Sequence, residues 1–403
     1  MTGAADRFLW HPQARLFDGA GRQHGPTQAP LSVIPDRPAP LALQSAFARA
    51  AMGGAFRVGE GGDAPETSLI PMFETLTSGT SGTPRRIVRS QASWLASFHI
   101  NARLFNIAPG TRVAVLGRLI HSLALYGALE ALHLGAEAHL LDGLRPDRQR
   151  AALAARKVQV LYATPAQLRL MIEASGPPLP DLRFVLIGGS KLDPGLRDQL
   201  HLACPNANLR EFYGAAEASF ITLSDDSTPA TSVGRPYPGV EIALRRADGH
   251  PAGIGEVAEI WVRSPYLAAG YGVPDPKGAI WRDGWLSVGE YGQLIDGQLY
   301  LAGRASRMVT VADQNVFPEE IEDFLLTLQG IARAAVLPRP DSLRGLVLDA
   351  VVMGDPRVEA EILTRLRQRF GPLKAPRRLH WRADWPTLAS GKTDLAALQR
   401  ALP

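Results

Sequence analysis

The sequence predicts an α/β protein, and three patterns lead to that prediction. Between residues 111 and 213, short aliphatic runs alternate with amphipathic stretches of helical period. Residues 231–302 change to short strand patterns separated by turn residues, and the remainder mixes both patterns. We therefore expect a large N-terminal domain, residues 1–303, of mostly parallel sheets flanked by helices plus a β-rich section. A small α+β domain, residues 304–403, follows on a hinge.

The individual elements follow from these patterns in chain order. Residues 1–70 are rich in proline and glycine, and the helix predicted there covers 41–52. Strands of the alternating section are predicted at 111–117, 137–141, 158–163, 182–188 and 208–214, with helices between them at 122–134, 145–157, 165–175 and 194–203. Later strands are predicted at 241–249, 255–264, 297–303, 308–312, 331–338, 345–353 and 377–382, and later helices at 317–329 and 356–370.

Composition excludes several classes of protein. The net charge of +4 is small for 403 residues, and the basic residues form no stripe with interleaved aromatics, so we expect no nucleic-acid partner. Cys204 is the only cysteine, which excludes an intrachain disulfide and a cysteine-based zinc site. Charged residues interrupt the most apolar stretch, 113–141, and the N-terminus lacks a signal-peptide pattern. We expect a cytoplasmic protein without a membrane span.

Residues 77–85, TSGTSGTPR, combine glycines, hydroxyl side chains and a positive charge. Many backbone N–H groups of such a loop are able to converge on one anion. Taken alone, the segment is equally well explained as a solvated Gly/Ser loop. It is not a Walker loop, because the G-x-x-x-x-G-K-[ST] spacing is missing.

Five further motifs follow this loop in order. They are GGSKL at 188–192, EFYGAAE at 211–217, DGWLSVGEYGQL at 283–294, LAGRASR at 301–307 and LASGKTD at 388–394. Together with the loop they resemble the motifs of the adenylate-forming (AMP-binding) superfamily, which includes acyl-CoA and aryl-CoA synthetases, nonribosomal-peptide adenylation domains and luciferases. Thr77 to Pro84 fit the whole loop pattern of that family, and Arg85 stands where lysine is usual. The resemblance is strongest to the acyl-CoA and aryl-CoA synthetase branch.

The resemblance implies a role for each matching residue. Lys392, Thr80 and Glu217 are the candidate catalytic residues, and Glu217 and Thr80 are also the candidate Mg²⁺ ligands. The implied ATP and AMP contacts are Thr77, Ser78, Gly79, Ser81, Gly82, Thr83, Arg85, Gly188, Gly189, Ser190, Tyr213, Gly214, Ala215, Ala216, Glu290 and Arg304. The implied substrate-binding residues are His121, Gly189 and Ala215.

These roles imply an ATP- and Mg²⁺-dependent reaction in two steps. A carboxylic acid first becomes an acyl-adenylate, and a thiol of CoA, or of the phosphopantetheine of an acyl carrier protein, then takes the acyl group. Residues 118–127 resemble the region beside the acyl pocket that carries a histidine in acyl- and aryl-CoA synthetases and an aspartate in amino-acid-activating members. Here His121 is present and no acid follows until Glu130, so a substrate amine would lack a partner and an amine-free acid is favoured. Small residues at Ala124, Gly127 and Ala128 leave room for an aryl or a fatty acid. His121 itself is equally well explained as a structural histidine.

Several positions depart from the family pattern. Ala216 replaces a threonine, Glu290 an aspartate and Arg307 an acid at the hinge, while Ala312 and Asp313 replace two glycines. Only 76 residues precede the loop, so a shortened N-terminal region is expected, with a pocket wall missing or supplied by a second protomer of a homodimer. Two alternatives stay open: a stand-alone adenylation protein that loads a carrier protein, and a catalytically degenerate nucleotide-binding homologue.

Overall fold

The computed structural model describes residues 6–77, 85–174, 176–273, 278–311, 314–341, 345–388 and 393–402. Its strands are β1 (Arg15–Phe17), β2 (Gln23–His24), β3 (Val33–Ile34), β4 (Phe56–Val58), β5 (Met72–Leu76), β6 (Arg86–Ser90), β7 (Arg112–Val115), β8 (Glu137–Leu140), β9 (Val160–Ala163), β10 (Phe184–Ile187), β11 (Asn208–Ala215), β12 (Ser219–Leu223), β13 (Arg235–Pro236), β14 (Glu241–Arg245), β15 (Ala258–Arg263), β16 (Gly270–Tyr271), β17 (Ile280–Arg282), β18 (Trp285–Ser287), β19 (Glu290–Ile295), β20 (Gln298–Arg304), β21 (Val309–Val311), β22 (Gln314–Val316), β23 (Ile331–Asp341), β24 (Gly345–Gly354) and β25 (Leu379–Trp381).

The helices alternate with these strands in the middle of the chain and return near its end. They are α1 (Ala39–Ala51), α2 (Gln91–Leu104), α3 (Ser122–His133), α4 (Pro146–Ala155), α5 (Pro165–Glu173), α6 (Pro194–Ala203), α7 (Pro318–Leu326), α8 (Glu359–Lys374) and α9 (Leu395–Arg400), with a 3-10 turn at Pro356–Val358. None of the helices in the described ranges is long and apolar enough to cross a membrane.

The largest sheet has the strand order β13-β12-β11-β10-β9-β7-β8-β1-β2. Its middle, from β11 to β1, is parallel, and antiparallel strands flank it on both sides. Alternate strand residues enter two different cores: Val115 packs with α3 on one face, while Ala114 packs with α5 and α6 on the other. Helices therefore cover both faces, and the predicted parallel α/β architecture is confirmed.

A second sheet, with the order β16-β6-β5-β4-β3, was not predicted. Strands β3, β4 and β16 have only two or three residues each, and β5 and β6 border the Gly-rich 77–85 loop and lack a neighbouring strand–helix alternation. Helix α2 was also missed, although its N-cap Ser90 accepts a hydrogen bond from the Ser93 N–H at 3.3 Å. Phe73 of this sheet packs against Trp94 of α2, with ring centroids 4.7 Å apart, so sheet and helix share the main core.

The β-rich section and the C-terminal part match their predicted classes. A third sheet has the order β17-β18-β15-β19-β20, with β14 paired to β15. Near the end of the chain, β23, β24 and β25 form a sheet that packs against α7 and α8 around a separate core containing Ile321, Leu348 and Leu366. Helix α8 bends where Gly371 takes a φ of 77° ahead of Pro372.

Candidate active site

The candidate site lies at the carboxyl edge of the largest sheet. There β8 and β9 lie on opposite sides of β7, so the winding of the chain across the sheet reverses at this point. Open α/β sheets bind ligands outside the carboxyl ends of the strands at such a reversal. Gly188–Ser190 follow β10 at this edge, and Tyr213 to Ala215 end β11 beside them. Two of the motifs singled out in the sequence therefore meet at the position where open α/β sheets bind ligands.

The TSGTSGTPR segment connects the antiparallel strands β5 and β6. Its two ends are joined by hydrogen bonds: the Thr77 N–H donates to the Arg85 carbonyl at 3.0 Å, and the Arg85 N–H donates to Thr77 Oγ1 at 3.3 Å. Six predicted contacts of the loop lie outside the described residues; they are Ser78, Gly79, Thr80, Ser81, Gly82 and Thr83. The two residues that flank the predicted anion loop, Thr77 and Arg85, are thus hydrogen-bonded to each other.

Three predicted nucleotide contacts meet in one cluster, although they lie far apart in the sequence. The Tyr213 hydroxyl donates to Glu290 Oε2, and Arg304 Nε donates to Glu290 Oε1 at 2.9 Å. Glu290 faces Arg304 across the β19–β20 pair, and its side chain is only 12% exposed. Burial and the neighbouring Glu290 raise the pKa of Tyr213 well above its ordinary value. The Glu290 carboxylate is therefore oriented by an aromatic hydroxyl and by a cation.

The Y-G-A-A-E motif forms the tight turn between β11 and β12. A β-bulge lies between Tyr213 and Gly214, and a Cβ at Gly214 would lie 2.0 Å from the Ser219 carbonyl oxygen, so only glycine fits. Ser219 itself has a φ of 61°. Ala215 and Ala216 are half-buried in this turn. The turn presents Glu217, whose Oε1 accepts a hydrogen bond from the Tyr271 hydroxyl at 2.8 Å.

The surroundings of Glu217 fit a magnesium ion bound together with a nucleotide. Within the described ranges, no group of three or more His, Cys, Asp or Glu side chains is arranged to hold a metal. Mg²⁺ commonly takes one or two carboxylates from the protein and its other ligands from substrate phosphates and water. A single half-buried carboxylate beside the phosphate-loop hairpin matches that donor set.

The Gly188–Ser190 turn is shaped by close packing. A Cβ at Gly188 would lie 2.2 Å from the Phe212 ring, and Gly189 takes a φ of 94°. Ser190 is exposed, and the next residue, Lys191, pairs with Asp323 of α7 at 2.7 Å. The turn therefore lies between the largest sheet and the C-terminal part of the chain.

His121 lies at the same edge, immediately before α3. Its backbone forms an isolated parallel bridge with Leu76, which precedes the TSGTSGTPR loop. Partial desolvation, followed by the positive charge of Arg118, lowers the pKa of His121. The imidazole is therefore neutral at pH 7.

The space expected at Gly127 is already filled. A Cβ on Gly127 would lie 2.7 Å from the Tyr162 ring, so the prediction that this glycine leaves room for the substrate is wrong. Ala124 and Ala128 are 4% and 1% exposed and belong to the main core. Close packing of α3 on β9 accounts for the small residues, because a larger side chain would separate the two elements.

A buried polar network lies behind Gly127 and was not predicted. Glu130 is fully buried and accepts hydrogen bonds from the Tyr162 hydroxyl and, at 2.9 Å, from Asn101 Nδ2. The Tyr237 hydroxyl donates to Asn101 Oδ1 at 2.6 Å. Burial raises the pKa of Glu130 to about 8. The helical pattern of 122–134 places Glu130 on a helix, but nothing in that pattern indicates a buried acid.

Arg307, the residue at the predicted hinge, bonds to the C-terminal part of the chain. Its guanidinium donates to both carboxylate oxygens of Glu322, at 2.9 and 2.7 Å, and to the Val336 carbonyl at 3.1 Å. The neighbouring Glu319 lies 3.4 Å away. The positive charge that Arg307 brings to the predicted hinge is thus paired with two acids of α7.

The predicted catalytic lysine and the two substituted glycine positions cannot be placed. Lys392, Ala312 and Asp313 lie outside the described residues. On either side of the 388–392 segment, Thr387 and Thr393 form an isolated antiparallel bridge, and Trp385 Nε1 donates to Thr393 Oγ1 at 3.1 Å. The chain therefore enters and leaves this segment at one point.

Comparison with known proteins agrees with this geometry. A family model described as AMP-binding enzyme matches residues 60–272, and one described as AMP-binding enzyme C-terminal domain matches residues 320–392. An uncharacterized acyl–CoA ligase of Bacillus subtilis, YhfT, is 31% identical over 329 residues, which cover 80% of this chain and 67% of that protein. The medium/long-chain-fatty-acid–CoA ligase FadD8 of Mycobacterium tuberculosis is 27% identical, with 84% of this chain and 62% of FadD8 covered.

The indoleacetate–CoA ligase of Aromatoleum aromaticum is 29% identical, with 81% of this chain and 66% of that protein covered. This chain therefore spans about two thirds of the length of these curated relatives.

Solved structures show the same fold at lower identity. The amide bond synthetase McbA from Marinactinospora thermotolerans superposes with a TM-score of 0.73 at 24% identity, covering 92% of this chain and 79% of McbA. The o-succinylbenzoate CoA synthetase of Bacillus subtilis gives 0.70 at 23% identity, covering 84% of this chain and 72% of that enzyme. With both family models matched in order, the chain belongs to the adenylate-forming AMP-binding enzymes, in their acyl-CoA synthetase branch.

Proposed function

We propose that this protein uses ATP to convert an amine-free carboxylic acid into an acyl-adenylate and then transfers the acyl group to a thiol, that of CoA in the first instance. The observation that carries the proposal is the cluster of Tyr213, Glu290 and Arg304 at the carboxyl edge of the sheet. Acid activation followed by CoA ligation is the general chemistry of the relatives' named activities.

The Tyr213–Glu290–Arg304 cluster suits the nucleoside end of ATP. A carboxylate accepts two O–H bonds in the manner that a ribose diol requires, and the Tyr213 ring offers a face for adenine. Arg304, whose pKa is raised chiefly by the charge of Glu290, keeps its positive charge beside the ribose and the first phosphate. In the protein without nucleotide, Glu290 bonds Tyr213 and Arg304, and the ribose hydroxyls enter this existing network.

The phosphates belong at the 77–85 loop and at Glu217. Backbone N–H groups and hydroxyls of that loop, with Arg85, hold the β- and γ-phosphates in this proposal. Mg²⁺ held by Glu217 and Thr80 would supply neutralisation of phosphate charge. Lys392 contributes an ammonium group that stabilises charge between the attacking carboxylate and the α-phosphate. We further propose that residues 304–403 form the mobile domain that brings Lys392 to the site.

The character of the acid follows from the charges near α3. A substrate ammonium needs a carboxylate partner in a desolvated site. Glu130, the nearest acid on this helix, is fully buried, accepts hydrogen bonds from Tyr162 and Asn101, and has a pKa of about 8, so it is largely protonated at pH 7. Burial lowers the pKa of His121, and the acid near it, Asp36, is paired with Arg118 at 2.8 Å. These properties support an amine-free acid, either aryl or fatty.

The decisive experiment is mass spectrometry of purified protein with ATP, Mg²⁺ and a panel of aryl acids and fatty acids of graded length, with and without CoA. Acyl-CoA formation from one class of acid is expected. An acyl-adenylate that persists in the presence of CoA would instead favour a carrier-protein acceptor, and neither adenylate nor pyrophosphate with any acid would favour the degenerate homologue.

A matched pair of lysine variants makes this experiment specific. Lys392→Ala should abolish adenylate formation, whereas Lys374→Ala, which removes a lysine at the end of α8, should leave it unchanged. Equal activity of both variants would exclude Lys392 from the proposed role.

A further inference from the structure

We propose that Tyr271 is a positioning residue for the metal ligand Glu217, and that Arg89 anchors the turn that carries this ligand. The proposal rests on the proposed function, because it concerns the Mg²⁺ that accompanies ATP. Neither residue belongs to the motifs that identified the site. Both lie on the sheet that holds the 77–85 loop, Arg89 on β6 and Tyr271 on β16.

Among the described residues, the hydrogen bonds of Tyr271 direct its hydroxyl proton towards Glu217. Its hydroxyl oxygen accepts the Ala279 N–H at 2.8 Å and lies 2.8 Å from Glu217 Oε1. Since the backbone N–H is the donor in the first contact, the hydroxyl proton points to the carboxylate. Tyr271 therefore donates to Glu217 in a fixed geometry.

The ring of Tyr271 is held as firmly as its hydroxyl. It packs edge-on against Trp281 with centroids 5.3 Å apart, and a Cβ on Gly278 would lie 2.4 Å from it. Its backbone pairs with Ile87 of β6. The strand that leaves the phosphate loop thus fixes the side chain that orients Glu217.

Arg89 fixes the backbone on the other side of Glu217. Its guanidinium is fully buried and donates to the Tyr266 carbonyl at 3.1 and 2.8 Å and to Ser219 Oγ at 2.6 Å. Ser219, with its φ of 61°, ends the turn that begins at Gly214. The Glu217 carbonyl accepts the Ala268 N–H at 2.7 Å. Arg89 therefore ties the Glu217 turn and the 266–268 segment to β6.

Together these contacts leave one carboxylate oxygen for a cation. Oε1 of Glu217 accepts the hydrogen bond from Tyr271, and no protein group in the described ranges donates to Oε2. Because Arg89 lies on β6 and Tyr271 on the paired strand β16, both anchors tie Glu217 to the strand that follows the 77–85 segment. Hydrogen bonds of this kind to a metal ligand typically change metal affinity by about 10- to 100-fold when removed.

The test compares Tyr271→Phe with Tyr266→Phe. Each change removes one hydroxyl; that of Tyr266 donates to the Pro238 carbonyl at 2.6 Å and does not contact Glu217. Mn²⁺ binding is measured by electron paramagnetic resonance with a non-hydrolysable ATP analogue present. Analogue binding without metal is measured by calorimetry, and folding by circular dichroism.

Tyr271→Phe should weaken Mn²⁺ binding by about 10-fold or more, with unchanged analogue affinity in the absence of metal, and saturating Mg²⁺ should restore the rate of adenylation. Tyr266→Phe should bind Mn²⁺ as the wild type does. Unchanged Mn²⁺ affinity in Tyr271→Phe, or an equal loss in both variants, would overturn the assignment. If the wild type itself binds no Mn²⁺ with the analogue, the proposed function fails instead.

Discussion

Two carboxylates of this protein have the same kind of neighbour and different properties. Glu130 accepts a hydrogen bond from the Tyr162 hydroxyl, and Glu290 accepts one from the Tyr213 hydroxyl. Glu130 is fully buried and its second oxygen faces the neutral amide of Asn101. Glu290 reaches the carboxyl edge of the sheet, and its second oxygen faces the guanidinium of Arg304 at 2.9 Å.

The difference shows what separates a structural acid from a ligand-binding one. A tyrosine–carboxylate contact by itself does not decide the role. Without a cation, burial raises the pKa of Glu130 to about 8, so the group is mostly neutral and serves the core. With Arg304 beside it and its side chain 12% exposed, Glu290 suits the ribose-binding role proposed for it.

The largest effect is expected for Glu290→Ala, which should impair the use of ATP. Two hydrogen bonds to a charged acceptor are worth about 3–4 kcal/mol together, so kcat/KM for ATP should fall by roughly 100- to 1000-fold. This value of kcat/KM is measured by steady-state kinetics with varied ATP concentration. Glu241→Ala, which removes an exposed carboxylate paired with Arg263 in the same sheet, is the control and should leave kcat/KM unchanged. Wild-type ATP kinetics in Glu290→Ala would remove Glu290 from the nucleotide site.

Glu130→Ala should destabilise the folded protein. The change leaves a cavity and removes the acceptor of Tyr162 and Asn101, so the free energy of unfolding should fall by about 3 kcal/mol. Urea denaturation measures this loss, and the KM for ATP of the folded variant should stay at the wild-type value. A stability loss below about 1 kcal/mol would contradict the network's role in the core.

The raised pKa of Glu130 predicts a pH dependence. Between its ordinary value of 4.5 and about 8, the folded protein keeps a proton that the unfolded chain has released. The unfolded state then binds fewer protons, so stability falls as pH rises through this window. Relative to Glu130→Gln, the wild type should lose about 3–4 kcal/mol between pH 5 and 8. Denaturation curves at both pH values measure the difference, and a parallel dependence in the two proteins would exclude the assignment.

Glu130→Gln at pH 5 should have the smallest effect, because this pH is close to the ordinary pKa of 4.5, where the raised pKa of Glu130 costs the folded protein little stability. An uncharged amide replaces a carboxyl group that is mostly protonated, accepts from Asn101 and donates to the Tyr162 oxygen. We expect a change in the free energy of unfolding within about 1 kcal/mol and unaltered ATP kinetics. A large loss of stability at pH 5 would indicate that Glu130 is ionised in the folded protein.

Sequence patterns predicted the alternating section and most of the candidate nucleotide contacts. Strand-helix alternation is a local property with a clear period, so β7 to β11 and α3 to α6 were predicted close to their observed bounds. Tyr213, Glu290 and Arg304 were identified through short motifs, each of which is readable without its partners. Several strands of the second sheet have only two or three residues, which show no period. Helix α2 was missed because its buried face includes polar residues such as Ser97 and Asn101, so its apolar period is weak.

The chain's local patterns decide its fold class, its family and which side chains are candidates for binding a nucleotide, because periodicity and short motifs depend on residues that are neighbours in sequence. The folded structure alone decides that Tyr162 fills the space at Gly127, that Glu130 is buried without a cation, and that Tyr271 and Arg89 hold Glu217. Burial and pairing depend on residues that are distant in sequence. The sequence around a single tyrosine or arginine therefore does not indicate which residue it will contact in the folded protein.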